Sequence, residues 1–280
     1  MTRYRLDLGY DGTDFHGWAA QTSLRTVQGT LMDAIARALA DFGLPPDQVL
    51  VAAGRTDAGV HARRQVAHLD VEVPDDRVTD FIRRLAGLLP KDIALHSLAP
   101  APPAFDARFG ATGRTYCYRI WDAASLPFLP FRLAVTILPV ALDIDAMASA
   151  AATLLGLRDF APFCRPREGA TTIRQLRRFD VGRLQAPSRT IECWLEADAF
   201  CHSMVRSLVG AVTAVGAGQR DLDWLARVAA SDSRVSEVQV LPPGGLTLED
   251  VTYPPDEELS RRAAEARQRR SLTDEEAQPS

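Results

Sequence analysis

The sequence predicts an α+β fold made of two related halves. Residues 3–10 and 114–121 each alternate between apolar and polar side chains, which is the period of a half-buried strand. Each run leads into a helical pattern and further strand patterns, so the order strand, helix, strand occurs twice along the chain. Residues 100–103, Pro-Ala-Pro-Pro, separate the two series and are the best linker candidate in the body of the chain.

The composition fits a folded protein with two domains and a tail. With 280 residues and 46% apolar content, the chain can bury a sizeable core. We place an N-terminal half at residues 1–99 and a C-terminal half at 104–254. Residues 255–280 are highly charged and lack a sustained apolar stripe, so we predict a disordered tail or a frayed helix.

Two amphipathic helices are predicted in the first half. Apolar residues recur at helical spacing from 27 to 42, with Thr26 as the N-cap and Gly43 as the stop. A second stripe, from 81 to 89, follows Thr79, which we expect to cap it. Each helix should pack one face on a sheet.

Alternating residues predict further strands at 65–73 and 92–98. His68 falls on the polar face of the first of these, so we expect its imidazole to be solvated. In the second half the same methods predict a helix capped by Asp143, a helix around 204–215, a last helix that starts at Asp221, and strands at 133–137, 173–183, 189–199 and 245–253.

Residues 54–62, Gly-Arg-Thr-Asp-Ala-Gly-Val-His-Ala, form the loop where we expect the chemistry. They lie between an apolar run at 49–53 and the strand at 65–73. The two glycines of the loop permit backbone angles and close ligand approach that a side chain would forbid. The loop at 13–18 adds aromatic residues, which suit either stacking on a ligand or a hydrophobic plug.

Asp57 is the candidate catalytic group of this loop. Arg55, two residues earlier, can hold the carboxylate ionised through charge proximity, and an ionised Asp suits a nucleophile or a stabiliser of positive charge. The alternative is a structural turn in which Asp57 hydrogen-bonds its own backbone. Taken alone, the loop favours the turn, since short motifs match by chance.

Other site classes find little support in the sequence. The four cysteines form no Cys-x-x-Cys pair, which argues against a zinc site and a disulfide framework and predicts buried, reduced thiols: Cys117, Cys164, Cys193 and Cys201. The five histidines show no metal-ligand spacing. Because no charged-then-apolar leader and no membrane-length apolar run is present, we expect a cytoplasmic protein without a membrane anchor.

The charge balance cautions against a nucleic-acid ligand but does not exclude one. A net charge of −4 and a pI near 5.8 lack the usual basic footprint. Nearly all the positive charge is arginine, however, and Lys91 is the one lysine. Arginine clusters such as Arg63/Arg64 and Arg165/Arg167 are interpreted either as a local phosphate-binding surface or as solvated faces.

Several motifs occur in a fixed order along the chain: Tyr10-Asp11-Gly12-Thr13 with Gly17-Trp18, Thr26-Val27-Gln28, the block from Ala53 to Ala62, Leu89-Pro90 with Asp92-Ile93, Ala107-Arg108-Phe109, Arg114 with Tyr116, Ala199-Phe200 with Met204-Val205-Arg206, and Gly245-Leu246. Taken together, these motifs resemble one family, the tRNA pseudouridine synthases of the TruA type. The resemblance covers residues 3 to about 254 and reverses the preference for a structural turn.

The resemblance implies a fold, a reaction and a site. The fold is two α+β halves that form an extended, mostly antiparallel sheet flanked by helices, with the active cleft between the halves. The implied reaction isomerises uridine to pseudouridine at positions 38, 39 and 40 of the tRNA anticodon arm, without cofactor or metal, in a homodimer. Asp57 is then the catalytic carboxylate, Arg55 and Arg206 its partners, and Tyr116 the aromatic that stacks on the target base.

A rival interpretation is a non-catalytic tRNA-binding or RNA-binding protein on the same scaffold. It predicts that the RNA is chemically unaltered after incubation with the protein. It is weakened because Asp57, Arg55 and Tyr116 are all present. A plain glycosidase would need a second positioned carboxylate.

Overall fold

The structure is a computed structural model that describes residues 1–45, 48–167, 169 and 171–267. Its contacts divide the chain into two compact units, one of residues 1–112 with 248–267 and the other of residues 113–247. The predicted domain limits at 99, 104 and 254 stay predictions, since the units are defined by contacts and not as separately folding segments.

Strands and helices alternate through both units of the described chain. The strands are β1 (Thr2–Tyr10), β2 (Val49–Ala52), β3 (His61–Val71), β4 (Ile93–Pro100), β5 (Gly113–Trp121), β6 (Thr136–Ile137), β7 (Gly156–Asp159), β8 (Ile173–Arg183), β9 (Ile191–Ala197) and β10 (Leu246–Thr252). The α-helices are α1 (Val27–Ala40), α2 (Val78–Leu88), α3 (Ile144–Ala152), α4 (Met204–Gly216), α5 (Leu222–Ala229) and α6 (Leu259–Glu265).

In the first unit the strand order is β4, β1, β3, β10, with β2 also paired to β3. The pairs of β1 with β3 and β4, and of β2 with β3, are antiparallel. Strand β1 buries Tyr4, Leu6 and Leu8, as its alternation predicts. Helix α1 buries the predicted stripe and is capped by the Thr26 hydroxyl, which accepts a hydrogen bond from the Gly29 amide.

In the second unit the strand order is β5, β9, β8, β7, and each neighbouring pair is antiparallel. The two-residue strand β6 runs parallel to the end of β5. Helix α3 is capped by Asp143 as predicted and packs against α4 and β8. Helix α4 buries almost every residue, so it is the central element of this unit's core. The α+β class and the mostly antiparallel pairing are therefore confirmed.

Two predicted elements are wrong in detail. Thr79 lies inside α2, whose N-cap is Arg77 without a side-chain cap bond. Residues 133–137 are not a full strand, because residues 129–134 form a 3-10 helix and only β6 remains. Part of the tail, which the sequence predicts to be either disordered or a frayed helix, forms helix α6, in which Leu259 and Ala263 are buried. Residues 268–280 of the predicted tail lie outside the described residues.

Two side-chain predictions are also corrected. His68 is buried. Its Nδ1 accepts a hydrogen bond of 3.0 Å from the Ala107 amide. Cys164 and Cys201 form a disulfide, with Cα atoms 5.8 Å apart. Their separation of 37 residues in sequence gave no spacing signal. Cys117 and Cys193 are buried free thiols, as predicted.

A helix that crosses a membrane must be both long and apolar. In the part of the chain that the structure describes, no helix has both the length and the apolar character needed to cross a bilayer.

Candidate active site

The loop between β2 and β3 carries Arg55 and Asp57 in the first unit. Burial alternates along it: Arg55 is exposed, Thr56 is buried and Asp57 is half-buried. The Asp57 carbonyl accepts a hydrogen bond from the Val60 amide at 3.2 Å, which closes a tight turn after the carboxylate. Gly59 supports that turn with a φ of 77°, which favours glycine. The turn therefore fixes the backbone that follows the carboxylate, whose side chain is half-buried.

Buried polar side chains hold the loop from inside. The Tyr10 hydroxyl and the Thr56 hydroxyl are 2.8 Å apart and hydrogen-bonded. The Gln65 amide donates to the Gly54 carbonyl at 2.9 Å. Tyr10 is the last residue of β1 and Gln65 lies on β3, so two adjacent strands fix the residues on either side of Arg55.

A second loop, residues 11–18, packs directly against the first. The Trp18 amide donates to the Thr56 carbonyl at 3.0 Å, and the Gly59 amide donates to the Phe15 carbonyl at 3.1 Å. Phe15 and Trp18 are 3% and 2% exposed, so these aromatics plug the core and do not present a stacking surface.

Glycines make this loop contact possible. A Cβ at Gly12 would lie 2.1 Å from the Val60 carbonyl oxygen, and one at Gly17 would lie 2.9 Å from the Thr56 carbonyl oxygen. Gly17 also has a φ of 87°. A side chain at Gly12 would force the two loops apart. Both glycines therefore support the geometry of the Asp57 loop.

Tyr116 lies on β5 in the second unit. It is 9% exposed, and its ring meets that of Phe200 edge to face, with centroids 5.2 Å apart and an interplanar angle of 89°. Edge-to-face packing fixes the orientation of the Tyr116 ring. Phe200 was named in the sequence only as part of a motif, and its contact with Tyr116 is a structural finding.

Arg206 occupies the first turn of α4. Its guanidinium donates to the Leu241 carbonyl at 3.2 Å and to the Ser203 hydroxyl at 3.3 Å. Ser203 precedes the helix with a φ of 65° and makes no side-chain cap bond. The position of a cation at a helix N-terminus is unfavourable by itself, so these oxygen partners help to hold it there.

The four predicted site residues are thus distributed over both units. Arg55 and Asp57 share one loop of the first unit, whereas Tyr116 and Arg206 lie on a strand and a helix start of the second. Among the described residues, no three His, Cys, Asp or Glu side chains are grouped as they would be around a metal ion.

Comparison with known proteins gives the family. A family model described as tRNA pseudouridine synthase matches residues 150–254. The tRNA pseudouridine synthase A of Cutibacterium acnes is 54% identical over 275 residues, which are 98% of this chain and 97% of the relative. That of Frankia casuarinae is 52% identical over 94% of this chain and 93% of its own, and that of Streptomyces griseus is 49% identical over 97% and 95%.

The chain belongs to the tRNA pseudouridine synthase A family. As a member, it is an isomerase that converts uridine to pseudouridine in tRNA. A chain in a solved archaeal box H/ACA sRNP Nop10-Cbf5 complex aligns with 67% of this synthase and 39% of its own length, at 14% identity and a TM-score of 0.29. That similarity is too low to bear on the fold.

Three residues around the Asp57 loop were not singled out from the sequence of this synthase. Tyr10 appeared as the end of the first strand and as part of a motif, Gln65 as the start of an alternating run, and Thr56 as one residue of the Asp57 motif. Gln65 carried the one available signal, because a glutamine on a strand that is otherwise buried needs hydrogen-bond partners.

Proposed function

We propose that this synthase modifies uridines 38, 39 and 40 in the anticodon arm of tRNA, with Asp57 as the catalytic carboxylate. The observation that supports the assignment is the burial pattern of the loop, in which an inward-facing Thr56 leaves the neighbouring Asp57 half-buried at the surface. A carboxylate in that position can reach a nucleotide and still be partly shielded from water.

The reaction suits a single carboxylate. Pseudouridine formation breaks the C1′–N1 glycosidic bond, turns the detached base and joins C5 to C1′, while C5 loses a proton and N1 gains one. Atoms and charge therefore balance within the nucleotide, and no redox change and no external group is needed. Asp57 stabilises positive charge at C1′ or attacks covalently, as carboxylates do in glycosidases. No second carboxylate is required, because no water is admitted.

The remaining site residues have supporting roles in this proposal. Arg55 and Arg206 are the cationic partners of the Asp57 carboxylate. Tyr116 offers a ring face to a uridine that has left the base stack, and Phe200 keeps that ring oriented. Flipping a base costs a few kcal/mol, which arginine contacts to phosphates help to offset.

The decisive experiment compares Asp57→Asn with the unmodified protein. We expect the variant to bind tRNA with unchanged affinity and to form no pseudouridine in single-turnover assays. Asp14→Asn is the matched control, since Asp14 is an exposed carboxylate in the adjacent loop, and it should retain activity. Activity in Asp57→Asn would refute the catalytic assignment and leave the family membership intact.

Substrate position is tested separately. Transfer RNAs with uridine replaced by cytidine at 38, 39 or 40 should each lose modification at that position only. The rival hypothesis, an RNA-binding protein without activity, predicts no pseudouridine in any of them. A tRNA substrate also leads us to propose that the protein works in the cytoplasm.

We further propose that the synthase acts as a homodimer through residues 126–137. This segment exposes large apolar side chains by 44 to 66%: Leu126, Phe128, Leu129, Phe131, Leu133 and Ile137. At about 100 Å² each, they expose roughly 600 Å² per copy, and two copies would bury about 1,200 Å², which is the lower range for a specific interface. A second copy of the same segment is the partner that this estimate favours.

A further inference from the structure

We infer that Tyr10, Thr56 and Gln65 are positioning residues, which hold the Asp57 loop in its reactive orientation through a buried hydrogen-bond chain. The inference rests on the proposed role of Asp57. None of the three residues faces the substrate in this hypothesis, and each acts through the backbone of the loop.

Gln65 is the inner end of the chain. It is fully buried on β3, and its Oε1 accepts a hydrogen bond from the Val66 amide at 3.2 Å. That bond fixes the side-chain amide, whose Nε2 donates to the Gly54 carbonyl at 2.9 Å and lies 3.4 Å from the Tyr10 hydroxyl. A buried amide is costly unless its atoms are paired, so Gly54 is the partner that keeps Gln65 satisfied.

Tyr10 continues the chain to Thr56. The two residues are 5% and 6% exposed, and their hydroxyl oxygens are 2.8 Å apart. Burial raises the pKa of Tyr10 to about 12, so the phenol keeps its proton at neutral pH. The hydroxyl pair is therefore kept at neutral pH, in a buried site where a hydrogen bond is stronger than in water.

The consequence concerns the residues between these anchors. Gly54 and Thr56 are held on either side of Arg55, and Thr56 immediately precedes Asp57. With Thr56 fixed inward, Arg55 is exposed and Asp57 is half-buried. Loss of the anchor would let the loop rotate, and a displacement of about 1 Å at a reacting group can cost about 100-fold in rate.

A pair of isosteric substitutions can separate a purely structural role of these residues from a positioning role. Replacing both partners of a buried hydrogen bond by apolar groups of the same shape can be nearly neutral for stability. The double variant Tyr10→Phe with Thr56→Val should therefore melt close to the unmodified protein. If the hydrogen-bond chain positions the loop, the kcat of the same double variant should still be lower than that of the unmodified protein.

The experiment measures kcat, KM and melting temperature for Tyr10→Phe, Thr56→Val and the double variant. We expect kcat to fall about 10- to 100-fold in each, with KM and tRNA affinity within about threefold of the unmodified protein. Thr56→Ser keeps the hydroxyl and should restore most of kcat. If Tyr10→Phe does not fold, Thr56→Val removes the same hydrogen bond through its other partner.

Tyr253→Phe is the matched control for a lost tyrosine hydroxyl. In the same unit, Tyr253 donates to the Ala107 carbonyl at 2.7 Å, so the variant loses a comparable bond and should keep kcat. A kcat within twofold of the unmodified protein for the double variant would overturn the inference. Equal rate losses in Tyr253→Phe would overturn it too.

Asp57→Asn, measured in parallel, distinguishes the two possible failures. If Asp57→Asn is inactive while Tyr10→Phe and the double variant are fully active, the positioning role alone is wrong. If Asp57→Asn remains active, the catalytic assignment is wrong and the positioning role falls with it.

Discussion

The guanidinium of Arg183 forms two hydrogen bonds with the carboxylate of Asp122, at 2.8 and 2.7 Å. The Asp122 side chain is fully buried, and it also accepts bonds from the Leu142 and Ala124 amides. These contacts, the one to Arg183 foremost, hold the pKa of Asp122 far below its usual range. Because the pKa is depressed on folding, the stabilisation is present above the unfolded value near 3.8 and is lost as the pH falls below it.

We predict that Arg183→Met destabilises the protein by about 3 to 5 kcal/mol at neutral pH, since it leaves a buried charge without its partner. Urea unfolding measures the change. Arg83→Met is the control, because the Arg83–Asp80 ion pair is exposed and should be worth at most about 1 kcal/mol. Equal losses in the two variants would contradict the prediction.

His68 should make stability sensitive to mild acid. Burial lowers the pKa of its imidazole, and its Nδ1 accepts a backbone hydrogen bond that protonation would abolish. The unfolded state therefore takes up a proton below the ordinary value of 6.5, and stability falls as the pH drops from there through the folded pKa.

We expect His68→Asn to flatten that pH dependence, since the asparagine Oδ1 can accept the same bond without titrating. Thermal unfolding of both proteins between pH 7 and pH 5 tests this. The two curves should diverge toward low pH, and parallel curves would show that His68 does not titrate in this range.

Gly12→Ala should disrupt the support of the Asp57 loop. Its Cβ would lie 2.1 Å from the Val60 carbonyl oxygen, a backbone atom that cannot move independently of the loop. We predict a loss of about 1 to 3 kcal/mol, together with a lower kcat. Gly87→Ala is the control: that helix site has open space, and the change should be neutral or slightly stabilising.

Transfer RNA affinity should fall steeply with salt. Arg165 and Arg167 are exposed, whereas Arg84 forms an ion pair with Asp41. We predict that the double variant Arg165→Ala with Arg167→Ala lowers the slope of log affinity against log salt by roughly 1 to 2, and that Arg84→Ala leaves it unchanged. Filter binding from 50 to 300 mM salt measures both, and a flat response in the unmodified protein would count against phosphate contacts.

Dimerisation should depend on the exposed apolar segment 126–137. We expect Phe131→Asp to shift the mass in solution from dimer to monomer, because an unpaired charge would be buried at the contact. Light scattering coupled to size exclusion reads the mass directly. Leu184→Asp is the matched control, since Leu184 is an exposed apolar residue outside this segment. A monomeric unmodified protein would refute the homodimer.

Local patterns predicted most of the regular structure. The strand at residues 3–10, the Thr26 cap of α1 and the Asp143 cap of α3 depend on nearest neighbours in the chain, and all three are confirmed. By contrast, the burial of His68 depends on the amide of Ala107, 39 residues away. The alternation of apolar and polar residues cannot reveal such a partner by itself, and it predicted a solvated His68.

The same limit applies to the site. The motif with Asp57 was visible in the sequence because its residues are contiguous, and its chemistry could be argued from them. The chain from Gln65 through Tyr10 to Thr56 links β1, β3 and the loop, and it becomes visible only when the strand register is known.

The return of β10 to the first unit has a consequence during synthesis. Residues 248–267 belong to the same unit as the Asp57 loop, and β10 lies beside β3 in its strand order. A nascent chain therefore cannot complete this unit when its own first 112 residues have left the ribosome. It must wait until residues 246–267 have been made, and a product that terminates before residue 246 would lack one strand beside the loop that carries Asp57.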